Sequence, residues 1–194
     1  EPLTGFREAV EALRPTAIIG VGAVPQAFTC EVIEAMAKFN HRPIIFALSN
    51  PTSKAECTAE QAYALSEGRA LFASGSPFDP VEFQGRRFVP RQGNNSYVFP
   101  GVGLGAVAVQ ASHITERMFM TAARTLAEAV LEEDLAQGSL FPALSRVREV
   151  SADIAFAVAE VAFSQGVAGI QRPDDLRGYI RQQMYDPHYF DYVD

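Results

Sequence analysis

The chain is poor in cysteine and histidine and has no cluster of basic residues, and each shortage removes a class of function. Two cysteines, Cys30 and Cys57, among 194 residues cannot build a disulfide-dense frame. Both sit in or beside helix-patterned segments and read as ordinary thiols of a reducing compartment, the cytoplasm or an organelle matrix. Three histidines, His41, His113 and His188, share no metal-site spacing with cysteines or carboxylates. A formal charge of -7 without a lysine or arginine cluster speaks against nucleic acid and against an anionic membrane surface as partners. The longest apolar stretch, Tyr97 to Val109, is broken by Pro100, Gly101, Gly103 and Gly105 and is shorter than the roughly 20 residues a bilayer requires. The residues that follow Glu1 do not read as a signal peptide. Neither a solenoid-period repeat nor a low-complexity linker is present.

What is present is a hydrophobic content of 48%, enough for a sizeable core in one large domain or two small ones. Three stretches end alike: Ala17-Ile18-Ile19 runs into Gly20-Val21-Gly22-Ala23, Ile44 to Leu48 into Ser49-Asn50-Pro51-Thr52, and Leu71-Phe72-Ala73 into Ser74-Gly75-Ser76-Pro77. Each is a continuous apolar run stopped by small, turn-forming residues, the pattern of a strand buried on both faces of a parallel sheet. The intervals of about 23 residues have room for a helical crossover. The three turns then share the sheet edge where open α/β sheets bind ligands, which implies half of a nucleotide or small-molecule site.

Local patterns predict the connecting helices. One covers Gly5 to Leu13 and stops before Pro15; a second covers about Phe28 to Phe39 with Ile33, Met36 and Ala37 on one stripe. Thr58-Ala59-Glu60-Gln61 matches the capping box of a third, which Gly68 ends. An extended stretch follows around Phe83 to Val89, and then the turn Gly93-Asn94-Asn95. Beyond it the pattern is helical: Leu104 to His113, Glu116 to Glu132, a stripe of Val147, Val150, Ile154, Val158 and Val161, and Arg172 to Met184. Glu132-Glu133-Asp134 reads as a solvated helix end, Phe156 and Phe163 as core or docking surface, and the aromatic tail from Tyr185 to Tyr192 as a docking segment.

A complete dinucleotide fold opens with a strand, a Gly-rich turn at a helix N-terminus and an acidic residue about 20 positions on. Gly20-Val21-Gly22-Ala23-Val24-Pro25 is a poor match, and Asn40-His41 stands where the carboxylate would fall. Three parallel strands also leave an edge that needs covering. The expectation is a chain that begins in the middle of a fold.

Pro15 to Val21, Arg42 to Thr52 with Ala55-Glu56-Cys57-Thr58, Phe72 to Phe78, and Gln92 to Gly101 resemble the C-terminal half of malic enzyme, and the resemblance runs from about Phe6 to Phe163. That family oxidises malate with NAD or NADP and decarboxylates it to pyruvate, using a divalent metal, Mg or Mn. The resemblance implies that Asn50, in Ser49-Asn50-Pro51-Thr52, and Asn95, in Gly93-Asn94-Asn95, contact malate and lie beside the nicotinamide, with Ser49 also on the cofactor. It places Gly20-Val21-Gly22 near the cofactor's adenosine side. A neutral amide suits such a position because it donates to a carboxylate or hydroxyl without cancelling a metal's charge. The family's tyrosine, lysine base, metal carboxylates, malate-binding arginine and Gly-rich fingerprint match nothing here and are expected in an N-terminal portion. Departures fall at Val24-Pro25-Gln26 and at Asp79.

The expected fold is α/β: a partial Rossmann-like parallel sheet of three βα units over residues 1-95, then a helical region over 96-194 that returns to a substrate and metal domain. The resemblance implies a homo-oligomer whose substrate pair is malate and pyruvate. Malolactic activity and a non-catalytic assembly module remain as alternatives, and the ribose contacts that separate NAD from NADP would lie upstream. Plainer readings stand beside the site residues. Asn50 before Pro51 can simply initiate a turn, Asn94 is the better turn residue of its pair, and Ser74 and Gly75 shape the third turn. His113 reads as a capping or packing residue between helices, and His41 and His188 as exposed.

Overall fold

The computed structural model describes residues 5–186, so His188 and the tail beyond Asp186 lie outside the described residues. Two compact units make up the chain. One runs to Asn94 and takes up Val130–Ala143; the other comprises Asn95–Ala129 and the residues from Leu144 onward.

In the first unit the strands β1 (Ala17–Gly20), β2 (Ile44–Ala47) and β3 (Leu71–Ser74) form a parallel sheet in the order β1-β2-β3. Ala17 stands opposite Ile44 and Ile44 opposite Leu71, so the three strand ends are level. Helices α1 (Phe6–Leu13), α2 (Cys30–Phe39) and α3 (Ala59–Leu65) surround them in sequence. Pro15 and the left-handed Arg14, whose amide donates to the Val10 carbonyl, end α1. Thr58 caps α3: its hydroxyl accepts from the Gln61 amide while the Gln61 side chain accepts from the Thr58 amide. The Gly68 amide closes the end of that helix on the Tyr63 carbonyl.

Burial corrects one expectation. Ile18, Ile45 and Phe72 are enclosed with Val32, Ile33, Met36, Ala62 and Tyr63 in one core. On the opposite face Ala73 of β3 is buried, but Ile44, Phe46 and Leu71 are half-buried and Ile19 is 60% exposed, so β1 and β2 are not buried on both faces. Their apolar runs are continuous because both faces carry hydrophobic residues, one fully and the other only partly covered among the described residues.

The stretch read as extended around Phe83 to Val89 is a hairpin of β4 (Val81–Phe83) and β5 (Arg86–Phe88). Gln84 and Gly85, both at positive φ, make its two-residue turn. A second correction falls on Glu132-Glu133-Asp134, which opens the short helix α6 (Glu132–Ala136) rather than ending a longer one. Asp134 is buried, pairs with Arg91 at 3.3 Å and accepts from the Leu131 amide. The Val89 amide donates to the Gln137 carbonyl and Ser139 donates to the Val89 carbonyl, which fastens this segment to the first unit.

The second unit is helical, with α4 (Phe99–Ala108), α5 (Glu116–Glu128), α7 (Val147–Ser164) and α8 (Leu176–Gln182). Its central helix is α7, whose Val150, Ile154, Val158 and Val161 are buried as their spacing predicts. Gly101 and Gly105 of α4 face α7 so closely that a Cβ would come within 2.7 Å of Ile154 or 2.5 Å of the Ala155 carbonyl oxygen. Phe156 and Phe163 are half-buried, each under a guanidinium, from Arg177 and Arg172 respectively. His113 is exposed, beside the Ser112 hydroxyl, rather than packed between helices.

Candidate dinucleotide site

The parallel strands deliver three turns to one sheet edge: Gly20-Val21-Gly22-Ala23 after β1, Ser49-Asn50 after β2 and Gly75-Ser76 after β3. Backbone bonds lock them to one another. The Leu48 amide donates to the Gly20 carbonyl at 2.9 Å and the Gly75 amide to the Ala47 carbonyl at 2.9 Å. A Cβ on Gly75 would overlap the Leu48 carbonyl oxygen, so the β2 and β3 turns meet at a distance only glycine allows. Beyond β3, the Gly93 amide donates to the Ser74 carbonyl and the Gln92 side chain to the Gly75 carbonyl at 3.0 Å, which brings the chain back along this edge.

The expected site residues divide by environment. Val21, Gly22 and Asn50 are exposed on the edge. Gly22 has no heavy atom closer than 3.9 Å to where a Cβ would stand, so the chain there is open to a ligand. Ser76 donates to the Asn50 side-chain oxygen at 2.6 Å, which fixes the amide's orientation, and the Asn50–Pro51 peptide is cis. Gly20 and Ser49 are buried. The Ser49 hydroxyl accepts from the Ala23 amide at 2.9 Å and donates to the Glu56 carboxylate. Its polar capacity is therefore used inside the protein, between two turns. Asn95 is exposed and begins a short 3₁₀ turn, Asn95–Tyr97, at the start of the second unit. The structure thus brings Gly20, Ser49 and Asn50 together, with Val21 and Gly22 adjoining, and places Asn95 on the other unit.

Sequence reasoning passed over Glu56, Ser76 and Gln92. Glu56 stands in a stretch noted for its resemblance, yet nothing in residue type announces that its carboxylate is buried. Gln92 acts through a side-chain bond to a backbone carbonyl, which has no sequence pattern. Ser76 carried the only available signal, a small polar residue just past a strand-ending glycine.

Electrostatics at this edge are set by burial. Desolvation, with the neighbouring Glu56 carboxylate, pushes the Cys57 thiol up to about 12, so Cys57 is neither a nucleophile nor a ligand near neutrality. Desolvation likewise raises the buried Tyr63 phenol, whose hydroxyl has no hydrogen-bond partner among the described residues. Among the described residues no group of three or more His, Cys, Asp or Glu side chains is arranged to hold a metal ion. No helix among them is long and apolar enough to cross a membrane.

A parallel sheet whose strand ends present glycine, hydroxyl and amide turns on one edge defines a nucleotide-binding α/β fold. The chain belongs to the family described as malic enzyme, NAD binding domain, whose model matches residues 2–163. It is 49% identical over 96% of its length to an NADP-dependent malic enzyme of Dictyostelium discoideum, covering 34% of that protein. It is 51% identical over 99% of its length to a chloroplastic NADP-dependent malic enzyme of Oryza sativa subsp. japonica, covering 30% of that protein. The chain therefore spans about a third of the length of these curated relatives. Among solved structures, the malic enzyme of Pyrococcus horikoshii Ot3 superposes on 91% of the chain with a TM-score of 0.65 at 27% identity; the chain covers 36% of it.

Proposed function

We propose that the chain acts as part of an NAD(P)-dependent malic enzyme that converts malate to pyruvate and carbon dioxide, and that it supplies dinucleotide and malate contacts. The observation that carries this reading is the level sheet edge, where the open Gly22 turn and the fixed Asn50 amide stand on adjacent strands within a family defined by NAD binding. The names of the relatives favour NADP over NAD.

The dinucleotide suits the edge because the Gly20-Val21-Gly22 turn offers backbone to the adenosine side and no Cβ at Gly22 to obstruct it. A bound nicotinamide supplies the hydride acceptor. Asn50, its oxygen occupied by Ser76, presents Nδ2 as a donor to a malate or cofactor oxygen. Ser49 contributes by holding the two turns. Asn95 is assigned the role of a second ligand-contacting amide on the strength of the family resemblance. These residues bind and orient; none has the chemistry of a general base. A divalent metal, Mg or Mn, finds no ligand set among the described residues, and its ligands and the base are assigned to an N-terminal portion. A homo-oligomer in the cytoplasm or an organelle matrix completes the proposal.

The full-length protein, given malate, NADP or NAD, and Mg²⁺ or Mn²⁺, is expected to reduce the dinucleotide and form pyruvate. Lactate without net dinucleotide reduction would favour malolactic activity, and dinucleotide binding without turnover would favour a non-catalytic module.

A further inference from the structure

Glu56 is only 2% exposed, yet its carboxylate accepts from two neutral donors, the Ser49 amide at 3.3 Å and the Ser49 hydroxyl, and forms no ion pair among the described residues. A buried carboxylate without a cation is costly, so the space it fills is not simply core. Its surroundings are the turns of the dinucleotide edge. The Phe28 amide donates to the Glu56 carbonyl at 3.0 Å and the Gln26 amide to the Ala55 carbonyl at 3.1 Å, which ties down the loop that follows β1. Gly20 lies against the Glu56 side chain so closely that any Cβ there would overlap its Cγ and Cδ.

The chemistry of the contact is directional. A carboxylate only accepts, so it draws the single Ser49 hydroxyl proton toward itself and leaves the oxygen lone pairs for the Ala23 amide. Ala23 has φ 53°, in the left-handed region that alanine disfavours, and so needs such a bond to stay there. We propose that Glu56 is a positioning residue for dinucleotide binding: through Ser49 it locks the turn after β1 to the turn that carries Asn50. The inference rests on the reading of this edge as a dinucleotide site. Glu56 itself touches no ligand and acts through Ser49 and Ala23.

The test uses the full-length protein, with NADPH titrated by its own fluorescence and with dinucleotide KM, malate KM and melting temperature measured for Glu56→Gln and Ser49→Ala. An amide can donate to the Ser49 oxygen and so compete with Ala23, and Ser49→Ala removes the link outright. Both are expected to weaken dinucleotide binding roughly tenfold, the upper end of the net worth of one hydrogen bond, and to raise dinucleotide KM more than malate KM. Thr58→Ala, which removes only the α3 cap, is expected to lower the melting temperature while leaving dinucleotide affinity within about twofold. Because both changes break one chain of contacts, the double variant is expected to be no weaker than the worse single variant. Unchanged affinity in both single variants, or loss that merely follows the melting temperature as in Thr58→Ala, would overturn the positioning role. Failure of the unaltered protein to bind either dinucleotide would instead overturn the reading of the site.

Discussion

The Ser76 hydroxyl donates to the Asn50 side-chain oxygen at 2.6 Å, joining the turn after β3 to the turn after β2. This bond decides which end of the amide faces a ligand, since it consumes the oxygen and leaves the Nδ2 hydrogens for an acceptor outside the turn. Ser76→Ala would free the amide to rotate. In the full-length protein it is expected to lower kcat/KM for malate about two- to tenfold, the net worth of one hydrogen bond, and less than Asn50→Ala. Equal losses would show that Ser76 contributes more than the orientation of Asn50.

The two cysteines should behave as opposites. Cys30 is exposed at the first residue of α2, and Cys57 is buried with its thiol raised to about 12. One equivalent of a thiol reagent is expected to react with the native chain and two after denaturation. The linkage follows from the same shift. The unfolded thiol, near its ordinary value of about 8.5, loses its proton first, so the contribution of Cys57 to stability is complete below that pH and is lost as pH rises through about 12. Cys57→Ala should lower stability at neutral pH through the lost packing, yet flatten its decline between about pH 9 and 12. Alkaline denaturation monitored by circular dichroism checks the sign.

Three glycines on α4 give a graded test of packing. A Cβ at Gly101 or Gly105 meets α7 within 2.7 or 2.5 Å, whereas at Gly103 nothing lies within 4 Å. Gly103→Ala is expected to stabilise by about 0.5–1 kcal/mol, because alanine loses less backbone freedom in a helix. Gly101→Ala and Gly105→Ala are expected to destabilise by roughly 1–3 kcal/mol through overpacking. Thermal melts of the three variants rank them; a stabilising Gly101→Ala would contradict the helix contact.

At the outer edge of the sheet, β1 pairs with β2 alone among the described residues, and its Ile19 is 60% exposed near the exposed Leu13 and Val21. A groove of about 240 Å³ runs there between α1 and β1. A strand edge left open and flanked by apolar side chains attracts another strand or surface. The isolated 194-residue chain is therefore expected to self-associate, and Ile19→Lys to reduce it. Light scattering that reports a monomer over a wide concentration range would count against this.

Much of the first unit was legible in the sequence because its elements announce themselves locally. Apolar runs stopped by glycine and serine located β1, β2 and β3, and the Thr58 capping box located the start of α3 to the residue. The hairpin was missed because Gln84 supplies one of the two left-handed turn residues, a conformation that glutamine does not advertise. Asp134 was misread because acidic runs are usually solvated, and its partner Arg91 lies 43 residues away in sequence. For the candidate site, the position of the turns followed from the strand ends. The burial of Ser49 and the hub at Glu56 did not, since both depend on contacts across strands rather than on a local pattern.

The proposal that Asn50 and Asn95 are ligand-holding amides of a malic enzyme is tested most directly by kcat/KM for malate in the full-length protein. Asn50→Ala and Asn95→Ala each remove a directed donor and are expected to cost about 1–3 kcal/mol, or roughly five- to 150-fold, with the melting temperature little changed. Asn94→Ala, beside Asn95 in the same turn, is expected to stay within about twofold. Malate-dependent dinucleotide reduction with that contrast supports the account. No malate-dependent reduction by the unaltered protein, or equal losses of activity and melting temperature in Asn94→Ala and Asn95→Ala, would contradict it.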